Sequence, residues 1–452
     1  MGEVDGPLAT FVRLFTLGQP VDAAEVDELL PSLTAAGLAE LGLAELTPHG
    51  LRSTAEVRPY GDEERAWYVA SDHSELVLGS ALPTDHVLGI GGASTTLARW
   101  TPRPAVTRAL DLGTGCGVQA LHLSTHAQEV VATDISQRAL GYAALNAELA
   151  GIDLDLRAGS LLDPVRGERF DLVVSNPPFV ITPRVDEVPL YEYRDGGATG
   201  HAIVAGLVRD VCAVLAPGGI VQMLGNWEVG EGGSWADVVG GWVDAAADAG
   251  HPLDAWVIQR DEQDPAEYAA TWSRDGGHRP GSPEHEAMVA AWLDDFAARG
   301  VERIGFGIIT LQRPVEDREV FRDLVEHAGP VASPMGPTIL AGLRARSWLA
   351  ARTDSEVLDV AWQCAEDVTE ERHGRPGADD PSVILVRQGG GLRRAVRVDT
   401  FGAALVSVCD GELTAGQASA AIAALLGMET SDAAAAAAQL VRDLVADGIL
   451  VR

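Results

Sequence analysis

Short apolar segments alternate with helical patterns along residues 101–315, and this alternation constrains the fold more than any other feature of the chain. The segments with the length and composition of buried strands are 108–112, 130–134, 154–157, 170–175, 220–224, 255–260 and 304–311. Strands that alternate with helices pair in parallel through right-handed crossovers. We therefore predict an α/β domain with a doubly wound, mostly parallel sheet of seven strands.

The regions before and after this alternation have different patterns. At roughly 100–200 residues per domain, the 452 residues predict three domains, 1–100, 101–315 and 316–452. The first begins with helical patterns and continues with a hairpin pattern over 43–60. This order is typical of a winged-helix-like module, and a helical lead-in whose strands cap the next domain fits it equally well.

The third region combines strand patterns at 382–386 and 395–398 with two later helical patterns and a final strand at 449–451. That order also suits a winged-helix-like module. Two polar stretches are predicted as loops. One is 370–380, and the other is 271–286, which is rich in glycine and proline and which we expect to cover the ligand edge of the sheet.

The sequence also restricts location and metal content. No segment approaches the 18 uncharged apolar residues that a membrane helix needs, and the acidic start lacks the layout of a secretion signal, so we expect a cytoplasmic protein. The four cysteines lie far apart, without a CxxC pair. His122 and His126 have metal spacing on a predicted helix, but no third ligand is in view, so no metal site is predicted.

The first motif is Asp-Leu-Gly-Thr-Gly-Cys-Gly at 111–117, between a predicted strand and a helix. Glycines permit positive φ and close backbone approach to a ligand, and the helix N-terminus behind them favours an electron-rich group. The spacing is GxGxG rather than the GxGxxG of dinucleotide folds. Gly113, Gly115 and Gly117 are therefore candidate ligand contacts, with a purely structural turn as the alternative.

Asp134 ends the next predicted strand. An acidic side chain at that point accepts hydrogen bonds from two ribose hydroxyls. The alternative is a cap for the helix that begins near Ser136.

Asn-Pro-Pro-Phe at 176–179 directly follows the predicted strand 170–175. The prolines remove two N–H donors and stiffen the loop, which leaves the Asn176 amide and a backbone carbonyl at the carboxyl edge of the sheet. Ligands bind at this edge in open α/β sheets. Such a pair can hold a planar amino group, and Phe179 can cover its π face. The alternative is a bare Pro-Pro turn.

Together these motifs resemble class I S-adenosylmethionine-dependent methyltransferases with the NPP[YF] signature of amino-group methylation. The resemblance covers roughly residues 105–225 and implies a Rossmann-like sheet. It implies S-adenosylmethionine as the cofactor, with contacts from the loop, from the ribose site and from the adenine site: Asp111, Gly113, Gly115, Gly117, Asp134, Ile135, Ser160 and Leu161. It also implies that Asn176, Pro177 and Phe179 orient the nitrogen that receives the methyl group.

Residues 192–200, Glu-Tyr-Arg-Asp-Gly-Gly-Ala-Thr-Gly, are similar to the Asp-Gly-Gly-x-x-Gly element of HemK/PrmC-type protein glutamine N5-methyltransferases, which modify release factors. The chain departs from that family in having Phe179 where Tyr is usual, Gly-Asn-Trp-Glu at 225–228 in place of Glu-Ile-Gly, and larger flanking regions. Ribosomal-RNA guanine methyltransferases share Asn-Pro-Pro-Phe, so the resemblance does not fix the substrate.

We therefore expect an N-methyltransferase that acts on a planar amino or amide nitrogen. A protein or peptide is favoured as substrate because the formal net charge of -33 repels phosphate backbones. The alternatives are a methyltransferase for the amino groups of RNA or DNA bases, and a non-catalytic cofactor-binding protein that acts through interactions. The sequence leaves the acceptor, the oligomeric state and the roles of the flanking regions open.

Overall fold

The computed structural model describes residues 6–185, 188–197, 199–377 and 380–452. These residues form two compact units. One contains the chain through Ala98 together with Ala105–His251 and Asp261–Ile309, and the other contains Arg99–Pro104, Pro252–Arg260 and Thr310–Arg452. None of the helices in these ranges is long and apolar enough to cross a bilayer.

The N-terminal region contains α1 (Pro7–Phe11), α2 (Ala23–Leu29), α3 (Thr34–Glu40), β1 (Ala44–Thr47), β2 (Gly50–Ser53), β3 (Glu56–Gly61), β4 (Ala66–Ser71), α4 (Glu75–Leu78) and α5 (Gly92–Trp100). The predicted order of helices and hairpin is present, with β1 and β2 paired antiparallel. Val21 adds a bridge to Leu51 of β2, and both side chains pack with Leu14 and Val26 in one apolar cluster. A second hairpin, β3–β4, follows that the sequence did not predict separately.

The central region contains β5 (Val106–Leu112), α6 (Val118–Leu123), β6 (Ala127–Asp134), α7 (Gln137–Ala150), β7 (Asp155–Ala158), β8 (Phe170–Ser175), α8 (Ala202–Asp210), β9 (Leu215–Gly230), α9 (Trp235–Asp248), β10 (Asp254–Gln263), α10 (Pro265–Asp275), α11 (Pro283–Arg299), β11 (Val301–Gln312) and β12 (Arg322–Glu326). The hydrogen-bonded order of the sheet is β12-β10-β11-β9-β8-β5-β6-β7. The pairs β5–β6, β5–β8, β6–β7, β8–β9 and β10–β12 are parallel.

The predicted α/β, doubly wound, Rossmann-like fold is confirmed, but the sheet has eight strands instead of seven. The additional strand is β12, at the edge of the sheet. Its sequence, Arg-Asp-Leu-Val-Glu, is short and charged at both ends, so it lacks the apolar run that identifies a buried strand.

The prediction of a long loop over 271–286 was wrong for most of that stretch. Helices α10 and α11 occupy residues 265–275 and 283–299, and only a short glycine-rich connection separates them. Asp264 and Ser282 cap these helices through their side chains, and a proline follows each cap at the first helical position.

The C-terminal region contains α12 (Gly336–Ala350), α13 (Asp354–Leu358), β13 (Gln363–Cys364), β14 (Val368–His373), β15 (Val383–Gln388), β16 (Ala395–Val398), α14 (Thr400–Ser407), α15 (Ala415–Leu426), α16 (Thr430–Ala446) and β17 (Leu450–Val451). Strands β14, β15 and β16 form an antiparallel sheet, and β13 pairs with β17. Part of the stretch predicted as a polar loop is β14, whose exposed residues are polar or charged.

Candidate active site

A cavity of about 400 Å³ lies at the carboxyl ends of the neighbouring parallel strands β5, β6 and β8. Its walls come from the segments that follow these strands and β7: 112–116, 133–136, 159–161 and 175–178. The carboxyl edge of a doubly wound sheet is the usual place for a ligand, and this volume suits a small molecule. The sheet topology therefore brings the three sequence motifs to one cavity.

The glycine loop supplies one wall of this cavity. Gly113 and Gly115 have φ of 74° and 55°, and a methyl group added to either would meet no atom within 4 Å. Both residues line the cavity. Gly117, with φ of 90°, differs because an added Cβ would lie 3.4 Å from the Cα of Ala143 on α7. This distance is an ordinary contact, so the positive φ and not packing favours glycine at 117, and Gly117 is not among the cavity-lining residues.

Asp111 supports the glycine loop from below. Its side chain is fully buried, and one oxygen accepts the Thr114 hydroxyl at 2.6 Å and the Ala120 N–H at 2.9 Å. Burial raises the pKa of Asp111 to about 7. Asp111 is not among the residues that line the cavity. The structure thus places it as a positioning residue for the loop and not at a ligand, which the motif alone did not distinguish.

Asp134 lies at the cavity and braces the loop at the same time. One carboxylate oxygen accepts the Gly115 N–H at 2.8 Å, and the other accepts the Ser136 N–H at 2.8 Å. Ser136 is itself the N-cap residue of α7, and no side chain caps that helix, so Asp134 does not act as the helix cap. Burial raises the pKa of Asp134. Because a carboxylate has about four acceptor sites, the backbone hydrogen bonds from Gly115, Ile135 and Ser136 still leave Asp134 acceptor capacity. The predicted ribose contact stays a prediction.

The three residues expected near adenine all line the cavity. Ile135 is 65% exposed although apolar, and Ser160 and Leu161 begin the segment after β7. Leu161 has φ of 47°, a conformation that branched apolar residues rarely adopt. Its placement beside Ser160 therefore indicates a turn held by its surroundings.

The Asn-Pro-Pro segment forms the wall at the end of β8. Asn176, Pro177 and Pro178 line the cavity. The side-chain oxygen of Asn176 is buried and accepts no hydrogen bond from any residue that the structure describes. Phe179 does not line the cavity. Its ring lies edge-on to Trp272 of α10, with centroids 6.1 Å apart, so the structure places it among packing residues.

Contacts that the sequence did not reveal hold this segment in place. Phe179 forms an antiparallel bridge with Asp195, and the Val180 N–H donates to the Arg194 carbonyl at 3.0 Å. The Ile181 N–H donates to the Tyr268 hydroxyl at 2.8 Å. The Ile181 carbonyl in turn accepts the indole N–H of Trp292 at 2.7 Å. Helices α10 and α11 thus fix the chain directly after the Asn-Pro-Pro turn.

The Asp-Gly-Gly segment, 195–197, is paired with the Asn-Pro-Pro segment through the Asp195–Phe179 bridge and also reaches the cavity. Asp195, Gly196 and Gly197 line the cavity, together with Glu192 and Tyr193. Asp195 accepts hydrogen bonds from the Thr182 hydroxyl and from the Tyr191 N–H, and burial raises its pKa. A Cβ at Gly196 would overlap the end of the Ile203 side chain and come within 3.1 Å of the Pro178 carbonyl, so a larger residue there would require both neighbours to shift.

The segment before α5 closes the remaining side, through residues that sequence reasoning missed. His86 lines the cavity, and Asp72 of the preceding loop accepts the Val87 N–H at 2.7 Å. Burial opposes the ionisation of Asp72, but hydrogen bonds from Arg138, Val87 and Tyr142 outweigh it and lower the pKa of Asp72. No local pattern marks His86 or Asp72, because their roles depend on strand β4 lying against α7.

Family comparisons agree with the position of this cavity. Residues 89–240 match the family described as the methyltransferase small domain. Residues 2–54 and 341–452 match two families described as domains of unknown function, DUF7059 and DUF7782. The methyltransferase match contains every segment that supplies the cavity walls except the one that includes His86.

Two kinds of curated relative share this domain. The release factor glutamine methyltransferase of Deinococcus radiodurans is 41% identical over 128 residues, which are 26% of this chain and 44% of the relative. The ribosomal protein uL3 glutamine methyltransferase of Bradyrhizobium diazoefficiens is 35% identical over 153 residues, 31% and 47% of the two chains. The chain thus spans less than half the length of these relatives. The resemblance to HemK/PrmC-type class I methyltransferases is confirmed for this domain.

Among solved structures, the T. thermophilus 16S rRNA methyltransferase RsmC in complex with AdoMet and guanosine matches with a TM-score of 0.31 and 16% sequence identity. That match covers 52% of this chain and 59% of the other.

Proposed function

We propose that this protein is an S-adenosylmethionine-dependent N-methyltransferase that modifies a planar nitrogen of a protein, with a glutamine side-chain amide as the first candidate. The match to the methyltransferase small domain supports the reaction class. The names of the relatives, which act on release factors and on ribosomal protein uL3, support a protein acceptor. The flanking regions 1–100 and 316–452 are proposed to recognise that protein, and its proposed location is the cytoplasm.

The cavity fits the proposed cofactor. The open space beside Gly113 and Gly115 lets backbone approach a ligand closely, and Asp134 retains acceptor capacity beside them. Ile135 offers an exposed apolar surface for a flat ring. These residues and Ser160 would hold S-adenosylmethionine, which supplies a methyl group on a positively charged sulfur.

The unpartnered oxygen of Asn176 is the observation on which the proposed reaction depends. A buried amide oxygen without a donor costs roughly 1–3 kcal/mol, so a native structure keeps one where a ligand donates to it. Asn176 lines the cavity. An N–H of the acceptor nitrogen satisfies this oxygen, and the Pro177 carbonyl is the proposed acceptor for the second N–H.

These two acceptors explain how a poor nucleophile is prepared for methylation. The lone pair of an amide nitrogen is delocalised, so orientation of the –NH₂ group matters more than proton removal. Fixing the group in line with the methyl carbon can supply several kcal/mol, up to about 7–11 in ideal cases. The same oxygens stabilise the positive charge that develops on nitrogen. The contacts of Ile181 with Tyr268 and Trp292 keep the turn rigid.

Methyl-labelled cofactor tests this proposal. The full chain is incubated separately with purified release factors, ribosomal protein uL3 and total RNA, and the products are treated with protease or nuclease. We expect label in a protein, destroyed by protease, with the added methyl on a glutamine by peptide mass spectrometry. Label that only nuclease removes would refute a protein acceptor, and no label in any fraction would refute the enzyme.

A further inference from the structure

A second cavity lies within the compact unit that contains the C-terminal region. Its volume is about 350 Å³, which suits a small molecule, and its walls come mainly from α12, from the end of α16 and from β17. Trp256, Trp348 and Trp362 line it. None of its lining residues belongs to the cavity described above.

Several buried polar atoms in these walls have no hydrogen-bond partner among the described residues. Gln388 is 8% exposed, and its amide nitrogen donates to the Asp447 carbonyl at 3.0 Å while its side-chain oxygen has no donor. Trp256 is 2% exposed, and its indole N–H has no acceptor. The indole N–H of Trp348 has none either. A ligand that offers two acceptors and one donor would satisfy all three groups.

The walls are held in shape without a ligand. A Cβ at Gly342 would come within 2.5 Å of the Trp256 ring, so glycine is required for that ring to lie against α12. The Arg346 guanidinium lies over the Trp256 ring, 3.8 Å from its centroid. The Nε–H of Arg346 donates to Asp323 at 2.7 Å. Trp362 packs edge-on to Trp348 at 5.4 Å. These walls are therefore preformed, which reduces the entropy cost of binding.

The rim of the cavity carries positive charge. The guanidinium of Arg452 lies 3.9 Å above the Trp348 ring, and Arg344 is exposed at the cavity edge without an ion pair in the described part of the chain. The carboxylate of Asp447, which also lines the cavity, pairs with Arg394 at 3.2 Å. Two cations thus remain at this cavity, although the whole chain has a net charge of -33.

From these features we infer that the cavity binds a nucleotide. The flat base stacks on the face of Trp348 that Arg452 covers, and the exposed Arg452 side chain moves from that face to the phosphate. A ring nitrogen or carbonyl acceptor of the base receives the indole N–H of Trp256, and an exocyclic amino group donates to Gln388. The indole N–H of Trp348 lies in the plane of its own ring, so it donates to a ribose or phosphate oxygen beside the stacked base. The phosphate lies beside Arg344 and Arg452. This inference is independent of the proposed methyl transfer.

Calorimetric titration of the full chain tests the inference. The ligands are the four ribonucleoside monophosphates and a short single-stranded RNA, which distinguish a free nucleotide from a nucleotide within a polymer. We expect saturable binding of at least one mononucleotide that S-adenosylmethionine does not displace. Gln388→Leu and Trp348→Phe should each weaken binding about five- to tenfold. Gln439→Leu, an exposed amide on α16, is the matched control and should bind as the wild type does.

Thermal unfolding shows whether each variant retains its fold, and the two variants alter different walls of the cavity. Binding of the RNA alone, lost in both variants, supports the nucleotide chemistry with a polymer as its source. Absence of saturable binding of any of these ligands at millimolar concentration overturns the inference. Unchanged affinity in both folded variants overturns it as well, because the nucleotide would then occupy another place.

Discussion

Asp111 gives the fold a pH dependence that one substitution should remove. The carboxyl group is fully buried under the glycine loop, and burial raises its pKa from 3.8 to about 7. The pKa rises by roughly three, and each unit of pKa corresponds to 1.36 kcal/mol, so folding disfavours the ionised form by about 4 kcal/mol. Because the folded state binds the proton more tightly than the unfolded state, this group makes stability fall as pH rises from about 4 to 7.

Asp111→Asn keeps the shape of the side chain and one oxygen that can still accept from Thr114 and Ala120. The other oxygen of Asp111 has no partner, so the amide –NH₂ that replaces it breaks no hydrogen bond among the described residues. The variant cannot ionise. Its free energy of unfolding relative to the wild type should therefore rise by about 2.5 kcal/mol between pH 5 and pH 8. Both pH values lie above the isoelectric point of about 4.5.

Urea denaturation of both proteins, followed by tryptophan fluorescence at several pH values, measures this difference. Titrations of all other groups are common to the two proteins and cancel in the comparison. Curves that stay parallel from pH 5 to pH 8 would show that Asp111 is ionised in the fold at an ordinary pKa. That result would refute the assignment of a buried carboxyl with a raised pKa beneath the loop.

Four further substitutions form two matched pairs, one for the glycine loop and one for Asp72. Gly115→Ala adds a methyl to a residue with φ of 55° in the cavity wall, and calorimetry should show weaker S-adenosylmethionine binding with a loss of about 1–2 kcal/mol in stability. Gly141→Ala, on α7 with open space around it and no positive φ, should instead add up to about 1 kcal/mol and leave binding unchanged. Asp72→Asn removes the carboxylate that Arg138 and the Val87 N–H share, and thermal unfolding should show a loss of about 1–3 kcal/mol. Asp85→Asn, which alters only an exposed ion pair with Arg138 at 3.6 Å, should cost less than about 1 kcal/mol, and equal losses would contradict the role given to Asp72.

The interior of the central sheet was predictable because its inner strands are largely buried. Strands β5, β6, β8, β9, β10 and β11 each carry an apolar run, which is the signal that buried parallel strands leave in a sequence, whereas the edge strand β7 does not. β12 lacks that run because an edge strand has one partner and partial exposure. Edge strands are often short and charged because this prevents pairing with another chain, and the same features make them hard to recognise in a sequence.

Helices α10 and α11 could have been predicted from their N-termini. Asp264-Pro265 and Ser282-Pro283 each combine a capping side chain with proline at the first helical position. The glycines at 276, 277 and 281 favour a loop, and they lie in the short connection between the two helices. The glycine and proline content of 271–286 therefore predicts the structure of this stretch less well than the capping residues that begin each helix.

The site was predictable to the level of its segments but not of each side chain. Gly113, Gly115, Asp134 and Asn176 follow strand ends whose side-by-side position is fixed by parallel pairing. Whether a motif residue faces the cavity or the interior depends on packing across the chain, and Phe179 lies against Trp272 for that reason. His86 was missed because the contacts that bring it to the cavity are distant in sequence.

Single-turnover methyl transfer by Asn176→Ala tests the proposed reaction most directly. The substrate is the protein that the wild-type enzyme methylates, and the affinity of the variant for the cofactor is measured in parallel. If the side-chain oxygen of Asn176 holds the acceptor nitrogen, the rate should fall about 100-fold or more. The dissociation constant for S-adenosylmethionine should stay within about threefold of the wild-type value, since this oxygen contacts the acceptor and not the cofactor. A near-normal rate in the variant would contradict the account.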